Sequence, residues 1–502
     1  MKAAGVNSIL GAAAGDAGRN EYVYPCDNET ANAGGSDRAK PPGGEPTGRR
    51  ALLWGLRVAM VTPDYPPDVI GGGGVSCGLL VRHLRERGII VDVYALTRKT
   101  GARGQRHVNS KPAGASGAES RSRRDIRLPA GWGRLGRNLR AFAALRRRLN
   151  DYDLVHVYDP SLLPAAALIH RLGRPRVPVV VHLNNLQGAC FTPELCLKEE
   201  CDRHGWLKSI RCIFVDPEPS SKLRRLVLVH PMFHVVNWLG RLLPSFIAIS
   251  ADVKARYVAS GFPAERIFVV PNMLDDRLFA PGKGAEGRSR GAELNILYVG
   301  QLDHRKGVHD LLAAYSRVPA EMRARTRLTM LGAGKDESAL RRQVRERGIG
   351  DRVEIRHCRY EDLPNEYAAA DVFVKPACWP EPFGRTCLEA LALGLPVLAA
   401  DVPSAREILG SNALYYRPFD VGDFAARLEA LIESDERRKC IGAGAAARLR
   451  RYSPSKAADG VLRVYAACRR VMQQPRGGPS NAAGPAAGSL GQEREMDADE
   501  EK

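Results

Sequence analysis

The stretch WPEPFGRTCLEALALGLPVLAA, residues 379–400, holds two glutamates, Glu381 and Glu389. Trp379, Pro380 and Pro382 keep the backbone extended around Glu381. From Arg385 onward Leu388, Leu391, Ala392 and Leu395 recur at helical spacing, and Gly394 and Pro396 stop the helix. Glu381 therefore sits in a loop before a helix, and Glu389 about one turn inside it. A carboxylate on an otherwise apolar helix is costly unless something donates to it. Facing a cleft, Glu389 can accept two hydroxyls of a ribose, and Glu381 hydroxyls of a sugar. The N–H groups of Phe383, Gly384, Arg385 and Thr386, at the helix start, can take phosphate charge. A second stretch, VGQLDHRKG, puts Arg305 and Lys306 shortly after Gly300, between a strand and a helix. Two cations there suit a diphosphate, although a solvated turn has the same pattern. The glycine run Gly71–Gly74, with Gly72 and Gly73 at its centre, fits a loop whose N–H groups approach a phosphate. A flexible turn is its plain alternative.

These groups need strands to carry them. Residues 56–96 read strand, Gly-rich loop, helix, strand. DLVHVYDP (153–160), PVVVHLNN (178–185), FIAIS and RIFVVPNM (266–273) are further apolar strands with polar ends. After the polar segment 281–293 the alternation restarts with LNILYVGQ, RLTMLGAG, RVEIRH, DVFVKPA and PVLAA, separated by helices. Continuous apolar strands alternating with helices predict an α/β chain with two doubly wound, Rossmann-like domains facing a cleft. The expected bounds are 51–270 for the N-terminal domain, 271–455 for the C-terminal domain, and 456–472 for a closing helix. Ligands in such sheets bind beyond the carboxyl ends of the strands. That rule selects the glycine run, Asp159 and His182 in the first half, and Gly300 to Lys306 and Pro376 to Thr386 in the second. Asp159 is only a polar strand end and is assigned no catalysis. Asp151-Tyr152-Asp153 precedes a strand rather than following one, and reads as a turn, not a metal site.

The chain has 502 residues and a formal net charge of +19, much of it outside the predicted elements. Residues 1–50 and 473–502 lack apolar periodicity and are expected to be disordered tails, and 98–127 a long basic loop. Basic residues without interleaved aromatics suit an anionic lipid surface better than base readout, with solvated loops as the plain alternative, so no nucleic-acid partner is expected. There is no signal-peptide pattern and no long uncharged apolar run. Eleven cysteines, an odd number, fit a reducing cytoplasm. In the insert 188–245, Cys190, Cys196, Cys201 and Cys212 with His204 lack the paired spacing of strong zinc sites, and free thiols are the alternative. The same insert carries a helix with Met232, Val235, Val236, Leu239, Leu242 and Leu243 on one face. It suits a membrane interface or packing on the core.

Taken in order, GGGG, HVYDP, PNM, VGQLDHRKG, LGAGKDESALRRQV and EPFGRTCLEALALGLPVLA resemble family 4 glycosyltransferases, retaining enzymes of the GT-B fold. The resemblance covers about residues 56–470 and is most specific in the paired-glutamate segment. It implies transfer of a sugar from a nucleoside diphosphate sugar to a hydroxyl of a glycan or lipid-linked acceptor, in cell-surface glycan or glycolipid synthesis. No metal cofactor is expected, since Arg305, Lys306 and helix N-terminal amides can carry the leaving charge, and the cysteines and basic charge place the expected site in the cytoplasm, peripheral at the inner face of the membrane. By resemblance Glu389 binds the nucleotide ribose and Glu381 the transferred sugar. Phe383, Gly384 and Arg385 present backbone to sugar and phosphate. Lys306 neutralises the leaving diphosphate, and His182 lies beside the anomeric carbon. Where the family carries an arginine after the glycine of VG, this chain has Gln301, with Arg305 as the candidate replacement. The family's PNG is Pro271-Asn272-Met273 here. Rival readings are a nucleotide-sugar epimerase on the same fold and a nonenzymatic nucleotide-sugar-binding protein.

Overall fold

The computed structural model describes residues 53–66, 72–97, 125–129, 133–190, 207, 210, 226–227, 230–279, 293–377, 379 and 381–473. The expected tails 1–50 and 474–502, residues 98–124 of the basic segment, and Cys196, Cys201, His204 and Cys212 lie outside these residues.

The first half is a seven-stranded sheet in the order β3-β2-β1-β4-β5-β6-β7. Its strands are β1 (Arg57–Thr62), β2 (Ile90–Thr97), β3 (Asp125–Pro129), β4 (Leu154–Val157), β5 (Val179–Leu183), β6 (Ser245–Ala248) and β7 (Ile267–Val269). The second half is six-stranded, in the order β10-β9-β8-β11-β12-β13. These strands are β8 (Leu294–Val299), β9 (Thr326–Leu331), β10 (Val353–Arg356), β11 (Val372–Lys375), β12 (Val397–Ala400) and β13 (Ala413–Tyr416). Every strand pair is parallel. The continuous apolar runs have this cause: β4, β5, β6, β11 and β12 are buried at every position, as strands covered by helices on both faces must be. Strand order reverses between β1 and β4 and between β8 and β11, the switch points at which such sheets open a crevice.

The two halves share one buried cluster. It runs from Val157, Leu183 and Phe246 through Phe279 to Tyr367, Phe373 and Leu388. The C-terminal helix Pro454–Gln473 returns to the first sheet, where Val461, Val464, Tyr465 and Cys468 pack with Val58, Met60, Val93 and Val180. It begins two residues before the expected closing helix and takes in Gln473, which was placed in the tail.

Three other expectations need correction. The basic segment does not run to residue 127: Asp125–Arg127 open β3, paired with Val93–Ala95 of β2. Gly72 and Gly73 are the first turn of helix Gly72–Glu86 rather than a loop, a place where N–H groups lack helical partners in any case. The helix of the insert is short, His230–Gly240, and its expected apolar face is divided: Val236 packs on the core cluster and Leu243, beyond the helix end, is buried. His230, Asn237 and Gly240 are buried, whereas Met232, Val235 and Trp238 are 49%, 56% and 60% exposed. It packs through its small residue: a Cβ on Gly240 would lie 3.2 Å from the Leu163 side chain. Core packing therefore does not account for Met232 and Val235. No helix of the described residues is long and apolar enough to cross a membrane.

Candidate active site

The second half builds a charged cluster at its switch point. After β8 the chain makes a short turn, His304–Lys306, capped by Asp303, whose carboxylate accepts from the Arg305 N–H at 3.0 Å. Gly307 ends the turn at φ +69°, and a Cβ there would lie 2.0 Å from the Pro376 carbonyl oxygen. Only glycine lets the turn after β8 close on the end of β11. That approach brings Lys306 Nζ to 2.5 Å from Glu381 Oε1. Lys375, the last residue of β11, donates to the other oxygen, Glu381 Oε2. Burial alone would raise the Glu381 carboxyl, but the two ammonium groups outweigh it and hold it at about 2. Burial lowers Lys306, with the Glu381 charge opposing. The Trp379 ring covers Lys306, its centroid 5.4 Å from Nζ.

One helix turn on, Glu389 is 3% exposed. Its Oε2 accepts from the Tyr367 hydroxyl at 2.9 Å, and Oε1 lies 3.7 Å from the Arg385 guanidinium. Burial pushes its carboxyl up, partly offset by Arg385 and Tyr367. Arg385 also spans the cleft. It donates to Ser76 Oγ on helix Gly72–Glu86 at 2.9 Å and to the Tyr360 hydroxyl at 2.7 Å. A Cβ on Gly72 would lie 3.1 Å from Arg385 Cδ, so the glycine run makes room for this crossing. Gly73 faces Asn184 at 3.6 Å by the same measure. Phe383 is buried, and the neighbouring Pro382 carbonyl accepts from Ser250 Oγ across the cleft at 3.0 Å. Gly384 sits close over Cys387, 3.1 Å from a Cβ position to Sγ.

On the first sheet, His182 lies near the end of β5 and is 3% exposed. Its ring packs on Tyr158, with centroids 4.3 Å apart, and its Nδ1 lies 3.3 Å from His156 Nε2. Asp159 caps the turn after β4: it accepts from Ser161 N–H at 2.7 Å and from Asn185 at 3.0 Å. Asp153 likewise fastens the start of β1, accepting from Arg57 N–H at 2.8 Å.

The structure thus joins Lys306 to Glu381, and Arg385 to both Glu389 and the Gly72 helix. It does not turn Arg305 to the glutamate. The Arg305 side chain donates to both oxygens of Asp303, at 2.9 and 3.0 Å. Asp303 also approaches Lys335 and His304 and, through His304, Asp336, an ion-pair network beside the site. Gly300 precedes this turn, a Cβ position 2.7 Å from the Tyr298 hydroxyl, which donates to the Gln301 carbonyl at 2.8 Å. Sequence reading missed Lys375, Tyr367, Ser76 and His156. Lys375 was findable, since the strand-end rule that selected His182 applies equally to DVFVKPA.

Two family models match the chain in succession. Glycosyltransferase Family 4 covers residues 70–278 and Glycosyl transferases group 1 covers 285–448. The chain is 34% identical over 172 residues to the O-antigen chain mannosyltransferase B of Escherichia coli, a match covering 34% of this chain and 45% of that relative. It is 28% identical to a glycogen synthase of Mycobacterium tuberculosis, over 84% of this chain and 97% of the relative. Among solved structures, HepE of Anabaena in complex with UDP-glucose superposes with a TM-score of 0.59 at 20% identity, covering 82% of this chain and all of that one, a likeness of fold. Two parallel Rossmann-like sheets, a glutamate pair in the loop and helix at the second switch point, and both family matches lead to one assignment: the chain is a glycosyltransferase of family 4, with the GT-B fold.

Proposed function

We propose that this glycosyltransferase moves a sugar from a nucleoside diphosphate sugar to a hydroxyl acceptor with retention at the anomeric carbon. The observation that carries the reading is the convergence of Lys306 and Lys375 on Glu381, one helix turn from the buried Glu389. In this reading Glu389 accepts the ribose hydroxyls and Glu381 contacts the sugar. The lysines, Arg385 and the N–H groups at the start of helix Arg385–Ala392 take the diphosphate charge. Lys375 then fills the cationic role left open by Gln301. The acceptor oxygen attacks the face from which the diphosphate departs. The new C–O bond forms as the bond to the diphosphate breaks, and the acceptor proton passes to the leaving phosphate. Groups preorganised for the charge that develops on the leaving group are the main source of rate. That HepE is described with UDP-glucose makes a uridine donor the first to test.

Because side-chain cations supply the positive charge, turnover is expected to survive EDTA. The test is release of nucleoside diphosphate from a panel of nucleotide sugars, with and without chelator. Loss of release in EDTA, restored by Mg²⁺ or Mn²⁺, would overturn the leaving-group assignment.

In this reading the acceptor belongs to cell-surface glycan or glycolipid synthesis, and the enzyme works at the inner, cytoplasmic face of the membrane. The supporting features are Met232, Val235 and Trp238, exposed on helix His230–Gly240. Helix Leu163–Leu172, packed on it, and helix Gly133–Arg146, packed in turn on Leu163–Leu172, add exposed Leu172 and Leu139 and the exposed arginines Arg171, Arg140 and Arg146. Apolar anchors among cations suit an anionic lipid surface. The double substitution Met232→Ser, Trp238→Ser is expected to weaken binding to phosphatidylglycerol-containing vesicles at least ~10-fold, since a buried large apolar side chain contributes roughly 1.5–3 kcal/mol. Unchanged co-sedimentation would remove the membrane from the proposal.

A further inference from the structure

Behind His182 lies a chain of buried polar groups that the reaction as written does not use. His182 is on β5, His156 on the adjacent β4, and Tyr465 on the C-terminal helix, 309 residues beyond His156. All three are buried: His156 and Tyr465 fully, and His182 to within 3%. The Tyr465 hydroxyl lies 2.7 Å from His156 Nδ1, and His156 Nε2 lies 3.3 Å from His182 Nδ1. The two imidazoles are nearly parallel, at 10°, with centroids 5.4 Å apart, so it is their edges rather than their faces that meet. His182 Nε2 is buried and has no hydrogen-bond partner among the described residues.

This order of atoms allows two proton arrangements, and the tyrosine hydroxyl chooses between them. A buried hydroxyl places its proton on an acceptor, and His156 Nδ1 is the partner recorded for Tyr465 among the described residues. If Tyr465 donates to Nδ1, the neutral His156 ring carries its proton on Nε2 and donates it to His182 Nδ1. His182 must then carry its own proton on Nε2. Burial lowers His156 to about 3, and burial with the neighbouring His156 lowers His182. Both rings are therefore neutral, and one tautomer of each fits.

We infer that Tyr465 and His156 are positioning residues that lock His182 as the Nε2–H tautomer, making its free nitrogen a hydrogen-bond donor and not a base. Resting on the glycosyl-transfer reading, the consequence is chemical. His182 would donate to an oxygen of the bound sugar or acceptor, leaving proton removal from the acceptor to the departing phosphate. The device also gives the returning C-terminal helix a task in the site. It sets the donor from a residue far from the nucleotide-binding segments in sequence.

The test needs no substrate, so it stands or falls separately from the assigned reaction. Long-range proton–nitrogen correlation spectra of the ¹⁵N-histidine-labelled full chain report the tautomer of each neutral imidazole. In the wild type, near neutral pH, both His156 and His182 should show the Nε2–H pattern. In Tyr465→Phe, His156 loses the donor to its Nδ1. Its Nδ1 resonance should shift, and His182 should become a mixture of tautomers. A wild-type His182 protonated on Nδ1 would overturn the inference without any variant. So would a His182 that stays wholly Nε2–H when the Tyr465 hydroxyl is removed.

Discussion

Glu381→Gln is expected to destabilise the ligand-free protein by about 3 kcal/mol, because it leaves two ammonium groups packed together around an uncharged amide. Lys306 and Lys375 each donate to one oxygen of this carboxylate in the present structure. The pH dependence has a definite sign. The Glu381 carboxyl falls from 4.5 to about 2 on folding, so its stabilising pairing is fully present above 4.5 and is lost as pH drops through 2. The gap in unfolding free energy between wild type and variant should be widest near neutrality and narrow steadily below pH ~4.5. Denaturant melts across that range measure it. A constant gap would mean that the lysines do not depend on this charge. The same substitution frees both ammonium groups for phosphate. A nucleoside diphosphate should bind the variant ~10-fold more tightly, about 1.4 kcal/mol, while turnover falls because the sugar loses its acceptor. Isothermal titration that finds weaker diphosphate binding would count against the competition between carboxylate and phosphate.

Glu389→Gln is expected to do the reverse. The amide keeps the shape, and it can still accept from Tyr367, which now donates to Oε2 at 2.9 Å. Burial already disfavours the Glu389 charge, so removing it should leave folding stability little changed or slightly raised. What is lost is charge-assisted hydrogen bonding to the ribose, roughly 1.5–3 kcal/mol per bond, or about 10–100-fold in affinity. The loss should be equal for free nucleoside diphosphate and for intact donor, since both carry the ribose. Titration of the two ligands against the same variant checks this. A variant that unfolds, or that binds diphosphate as well as the wild type, would mark Glu389 as a structural residue.

The two glutamates were legible because their local sequence constrains them. Prolines flank Glu381, and an apolar helix surrounds Glu389, so each carboxylate stands out as an expense requiring a partner. The strands were legible for the same reason, as apolar runs longer than an exposed edge would carry. What the sequence around Arg305 does not show is the local charge competition at the strand end. Asp303, two residues earlier, satisfies the guanidinium before any ligand arrives. Lys375 ends a strand that the strand-end rule covers, but its pairing with Glu381 arises only in the folded loop. The helix His230–Gly240 showed its periodicity but not its orientation, which depends on Gly240 fitting against Leu163. Tyr465 could not be found by motif at all. Its partner His156 lies 309 residues away, and only the return of the last helix to the first sheet brings them together.

Retention is the central claim, and it is decided by the anomeric configuration of the product. A donor from the panel with an α-linked sugar is incubated with the enzyme and an acceptor that it supports, in EDTA, and the product is followed by proton NMR from the first turnovers. Same-face departure and attack, with the diphosphate held by Lys306, Lys375 and Arg385, predicts an α-linked product throughout. A β-linked product as the first species formed would contradict the account, because it requires a base on the opposite face of the sugar, where the mechanism places none.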